Sequence, residues 1–101
     1  MFITKKEISL VIGSVYKDLN ILKKLLSQLD SNIDYLKEIL CIVSGVNTPT
    51  KMNELEILKK IVKKEIQVIT FKEIIMPGQA RNIGIIKSKY EFICFLDSHT
   101  L

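Results

Sequence analysis

The chain has two cysteines, one histidine, two prolines and no tryptophan. Cys41 and Cys94 lack the spacing of a metal site, and each falls inside an apolar run. Two reduced, buried thiols are therefore expected rather than a disulfide. No run approaches the roughly 18 apolar residues that a membrane-spanning helix needs, so no transmembrane segment is expected. Residues 1–7 show neither the charged-then-apolar order nor the small-residue cleavage site of a secretory leader. Together with reduced thiols this points to a cytoplasmic protein. Asn47-Thr48-Pro49 fails as a glycosylation acceptor at its third position. Neither Gly-x-Gly-x-x-Gly nor a Gly-Lys-Ser/Thr loop follows any apolar run, which excludes a Rossmann dehydrogenase and a P-loop enzyme. Tyr16, Tyr35 and Tyr90 are too scattered to form a base-stacking platform, and nucleic acid is not an expected partner.

What is present reads as one folded domain over residues 1–101. A length of 101 residues implies a single domain, near the small end for a sheet covered on both faces. The composition, 48% hydrophobic and 26% charged, is that of a globular protein rather than a disordered one. The net charge of +4 is uneven, because residues 51–89 hold nine Lys/Arg against four Asp/Glu. A basic half can attract phosphate, nucleic acid or anionic lipid. A solvated lysine-rich helix face accounts for it more simply.

Apolar runs alternate with helical patterns along the chain. Ile8-Ser9-Leu10-Val11-Ile12 is a strand by its β-branched content, ended by Gly13-Ser14. Asp18 is placed to cap a helix whose Leu19, Leu22, Leu25, Leu26 and Leu29 share one face. Ile39-Leu40-Cys41-Ile42-Val43 is the second strand, ended by Ser44-Gly45. A second helix begins near Pro49 or Thr50, with Leu55, Leu58, Ile61 and Val62 as its apolar face and lysines in its last turn. Residues 66–71 form a third strand, and residues 72–76 connect it to Pro77-Gly78, read as a turn pair outside any helix. A short helix with Ala80, Ile83, Gly84 and Ile86 follows, closed by Lys87, Ser88 and Lys89. Phe92-Ile93-Cys94-Phe95-Leu96 is then a strand expected to be buried on both faces, stopping at Asp97. Strands alternating with helices imply parallel pairing. The Gly, Ser and Asp residues at the strand ends then share the carboxyl edge of the sheet, where open α/β sheets bind ligands.

At that edge the residues resemble a known family. Ala80-Arg81-Asn82-x-Gly84, a short spacer, and Phe92-Ile93-x-Phe95-Leu96-Asp97-Ser98 look like the central signature of family 2 glycosyltransferases. The two blocks agree in spacing without gaps, and the combination is far more specific than either half. The resemblance implies a Rossmann-like GT-A fold: a three-layer α/β/α domain with a mainly parallel sheet, here truncated after the fourth strand. It also implies transfer of a sugar from a nucleoside-diphosphate sugar to a glycan, lipid or protein acceptor, with this chain carrying the donor-nucleotide half. The acceptor half and the family's catalytic base would lie beyond Leu101, so no catalytic residue is assigned. The 101-residue chain alone is expected not to turn over.

Asp97 matches the first carboxylate of the family's metal-binding DxD element, which implies a divalent cation, Mn²⁺ or Mg²⁺. The second carboxylate falls on His99, and imidazole suits Mn²⁺ or Zn²⁺ better than Mg²⁺. His99 is thus a weakened second ligand or simply an exposed loop residue. Arg81 matches the arginine that lies near the nucleotide, with a surface salt bridge to Glu73 or Asp97 as its structural alternative. Gly13, Ser14, Ser44, Gly45 and Ser98 complete the expected nucleotide-binding set through backbone amides and hydroxyls. Taken singly, the first four are ordinary strand-ending turn residues. Val43 and Ser44 stand where the family has its base-reading aspartate pair, and Gly13 stands where it has a proline. Gly84 is read as a site of close helix-to-sheet packing. These departures support the rival reading of a non-catalytic α/β module, working through a partner chain or as a homo-oligomer paired along an exposed sheet edge.

Overall fold

Parallel strands must be covered on both faces, and the alternation along the first two strands supplies two apolar surfaces for that purpose. The computed structural model describes residues 7–29 and 36–97. In chain order these form β1 (Ile8–Val15), α1 (Leu19–Gln28), β2 (Leu36–Ser44), α2 (Pro49–Glu54), α3 (Leu58–Ile61), β3 (Glu65–Phe71), α4 (Pro77–Lys87) and β4 (Phe92–Asp97). The strands make one parallel sheet in the order β3-β2-β1-β4. No helix among the described residues is long and apolar enough to cross a membrane.

Leu10 and Ile12 of β1 and Ile39, Cys41 and Val43 of β2 pack against the leucines of α1 and against Leu55 and Leu58. The intervening residues Val11, Leu40 and Ile42 face Ala80 of α4. The result is the expected α/β/α layering. Leu22, Leu26, Ile39 and Leu58 are fully buried, each contributing roughly 2 kcal/mol of apolar burial.

Local chemistry shifts several boundaries. Asp18 occupies the N-cap position of α1, yet its side chain makes no capping hydrogen bond, because a 3₁₀ turn at Tyr16–Asp18 already leads into the helix. Thr48 caps α2 through Lys51 N–H, and Pro49 takes the first helical position. The second helix is not continuous: a 3₁₀ turn at Leu55–Ile57 separates α2 from α3, which ends at Ile61 with Lys59 and Lys60 in its last turn and Lys63 and Lys64 beyond it. Pro77-Gly78 is the first turn of α4 rather than a turn outside it, since proline lacks only an N–H that a helix start leaves unpaired. Gln79 Oε1 accepts from the Met76 N–H at 2.8 Å and closes that end. Gly45 has φ +79°, the left-handed conformation that turns the chain sharply after β2.

The largest correction concerns β4, which is not buried on both faces. Among the described residues it pairs with β1 alone and forms an edge of the sheet. Phe92, Phe95 and Leu96 are 40%, 38% and 37% exposed. Ile86 also points to solvent, because α4 meets the sheet through Ala80 and Gly84.

The same placement separates the cysteines: both are free, Cys41 is buried and Cys94 is exposed. Burial pushes the Cys41 thiol up to about 12 from its ordinary 9.0. The fold thus favours the neutral thiol. Its contribution is fully present below pH 9.0 and is lost as the pH rises toward about 12. At pH 8 a thiol reagent should label Cys94 in the native protein, and Cys41 only after denaturation, as counted by mass spectrometry.

Candidate functional site

The parallel sheet brings its strand ends to one edge, and α4 begins at that edge. Gly13 of β1 sits directly opposite Asp97 of β4 in the ladder, while Ser14 and Val15 face Val43 and Ser44 of β2. Above them lie two adjoining recesses. The larger, about 200 Å³, is lined by Gly13, Ser14, Ser44 and Asp97 on the sheet side and by Ile74, Ile75, Met76, Pro77 and Ala80 on the other. The smaller, about 40 Å³, shares Gly13, Pro77, Ala80 and Asp97 and adds Val11, Arg81, Phe95 and Leu96. The cleft is small beside the ~300–1,000 Å³ typical of drug-sized ligand sites.

Five of the residues singled out in the sequence therefore meet at one place: Gly13, Ser14, Ser44, Arg81 and Asp97. Gly45 follows one position later, in the turn, beside Ile74 and the Tyr16 backbone. Ser98 and His99 lie outside the described residues. Ser44 is almost wholly buried, and the Ser14 hydroxyl donates to the Val15 carbonyl at 3.3 Å. The Arg81 guanidinium lies over the Phe95 ring, 5.9 Å from its centroid, at the outer range of a cation–π contact. That contact holds an exposed arginine along the cleft wall.

The first turn of α4 adds electrostatics. Pro77 lines the cleft, so the positive end of an 11-residue helix dipole opens onto it. An anion is therefore favoured here by the helix dipole and the Arg81 guanidinium together. Sequence reasoning missed the apolar wall. Ile74-Ile75-Met76 was legible as an apolar triplet in a connector, and Ile74 and Met76 are each 69% exposed.

Tyr16, Glu54 and Lys51 form a second polar group at the same end of the molecule. The Tyr16 hydroxyl donates to Glu54, which raises the phenol above its usual range. Lys51 Nζ lies 4.9 Å from the centroid of the Tyr16 ring and donates to Asn47 Oδ1 at 3.0 Å.

Among the described residues no group of three or more His, Cys, Asp or Glu could hold a metal by itself. A hard cation beside a nucleotide needs only one or two carboxylates, because phosphate oxygens and water fill the other positions. Asp97, an oxygen donor at the rim of an anion-favouring cleft, fits that type of site.

A family model described as Glycosyl transferase family 2 matches residues 10–101, a span that reaches from β1 through β4. No curated protein and no solved structure gives a match.

Proposed function

Because the chain belongs to glycosyl transferase family 2, we propose that its cleft holds the nucleoside diphosphate of a sugar donor, for transfer of the sugar to a glycan, lipid or protein acceptor. The observation that carries this reading is the meeting of Asp97, Arg81 and the amino end of α4 at the carboxyl edge of the sheet. Breaking the sugar–phosphate bond leaves negative charge on the diphosphate, and preorganised positive groups lower that barrier. In this reading the positive end of the α4 dipole faces the phosphates, and Arg81 neutralises a non-bridging oxygen. Asp97 and His99 would hold a divalent cation, Mn²⁺ or Mg²⁺, whose chemistry is to offset the charge of the departing diphosphate. Gly13 admits the ligand without a side chain in the way. Ser14, Ser44, Gly45 and Ser98 supply the remaining polar surface.

Calorimetric titration of UDP and of GDP tests the assignment. One of the two should bind at least about tenfold more tightly with Mn²⁺ than without it. No binding of either nucleotide, with or without the metal, removes the assignment.

A second reading is a non-catalytic α/β module acting through self-association or a partner chain. The exposed apolar residues of the β4 edge favour it. A concentration-dependent dimer in sedimentation, together with absent nucleotide affinity, would select it.

A further inference from the structure

The β4 sequence does not specify its own register. Residues 92–96 are apolar at every position, so no polar alternation selects one pairing over its neighbour. Among the described residues the strand is paired on one side only, by β1. A slip of one residue would turn Asp97 to the other face and carry it away from the cleft.

A polar anchor at the opposite end of the strand resists that slip. Glu38 of β2 is only 2% exposed. Its Oε2 accepts from the Lys89 backbone N–H at 2.8 Å and from the Ser9 hydroxyl at 3.0 Å. The Ser88 hydroxyl donates to Ser9 Oγ at 2.6 Å, and the Tyr90 N–H donates to Ser88 Oγ at 3.4 Å. The connector between α4 and β4 is thus pinned to β1 and β2 by directional bonds inside the protein. A one-residue slip shifts the chain by roughly 3.3 Å, enough to break the bond from Lys89 N–H to Glu38. It would also leave a buried carboxylate short of a donor, which is costly. An irregularity in the β1–β2 ladder between Ile8 and Ser9 brings Glu38, rather than Lys37, opposite Ser9. Bulges of this kind re-aim a side chain.

We infer that Glu38 is a positioning residue that sets the register of β4 and so holds Asp97 at the cleft, roughly 26 Å along the chain from Lys89. The functional consequence rests on the donor-site reading of Asp97. The register itself does not.

NMR of the intact 11.6-kDa chain reads the register directly, through the interstrand proton contacts that pair Ile8 with Phe92 and Gly13 with Asp97. In Glu38→Ala these contacts should shift or vanish while β1–β2 and β2–β3 contacts persist. Glu38→Gln, which keeps an acceptor oxygen of similar reach, should retain them. Mn²⁺-dependent nucleotide affinity should fall at least tenfold in Glu38→Ala and recover in Glu38→Gln. Unchanged β1–β4 pairing in a folded Glu38→Ala overturns the inference. An altered register in a chain whose wild type binds no nucleotide supports it and counts against the donor-site reading alone. Should Glu38→Ala fail to fold, Lys89 decides. Ser88 already has the extended backbone, φ −67° and ψ 139°, that a following proline requires. Lys89→Pro therefore removes the donated N–H, whereas Lys89→Ala removes only the side chain and its 2.6 Å ion pair with Glu65. Loss of β1–β4 pairing in the proline variant alone supports the inference, and intact pairing in both overturns it.

Discussion

Gly84→Ala is expected to lower the stability of the chain by about 3 kcal/mol, at the upper end of what overpacking a core costs. In an exposed helix the same change would stabilise by roughly 1 kcal/mol, because alanine is the better helix former. Here the added Cβ would lie 2.5 Å and 2.7 Å from the two γ-carbons of Val11 and 3.1 Å from its Cβ. Both methyls are too close, so no rotation of Val11 clears the clash. Val11 is 2% exposed in the centre of the sheet and cannot withdraw into solvent. The remaining response is for α4 to lift from β1, which opens the packing around Ala80 and moves the Pro77 end of the helix off the cleft. Chemical denaturation of Gly84→Ala, Val11→Ala and the double variant provides the check. The double variant should recover at least about 1 kcal/mol relative to additivity. Additive losses would mean that the contact between Gly84 and Val11 does not limit the approach of the helix.

Asp97→Asn should reduce Mn²⁺-dependent nucleotide binding at least about tenfold, or 1.4 kcal/mol, while leaving stability nearly unchanged. The substitution keeps the size of the side chain and an acceptor oxygen, and removes the charge that a hard cation requires. Asp97 is the last residue of β4, at a strand end rather than in the core, so no cavity is opened. Metal-free nucleotide binding should be affected far less, because α4 and Arg81 act without the carboxylate. Equal affinities of the two proteins in the presence of Mn²⁺ would remove Asp97 from the metal site.

Much of this arrangement was legible along the chain, because the forces that set it act locally. The leucines at helical spacing define the buried face of α1 before any tertiary contact exists. The β-branched runs define the strands, and their alternation with helices implies parallel pairing. Gly84 could be read as a close approach, since a glycine inside a helix is otherwise a loss. Arg81 and Asp97 were identifiable because they recur at fixed spacing within a known signature, and their common place on the carboxyl edge follows from parallel strands alone.

The order of the strands across the sheet was not legible, and most differences trace to it. An apolar run signals burial, but it does not say whether a neighbour stands on each side. Among the described residues the order β3-β2-β1-β4 makes an unbroken apolar run, residues 92–96, an edge, and Cys94 is exposed for the same reason. The partners of Glu38 were invisible for a related cause. Ser9 and Lys89 lie 29 and 51 residues away from it, and only the stacking of β1, β2 and the α4–β4 connector brings the three together. Sequence by itself determined which segments are strands and which are helical, since periodicity and backbone preference are local. The tertiary structure alone decided which strand is an edge, which carboxylate is buried and how the cleft is walled, since these depend on pairings between segments far apart in the chain.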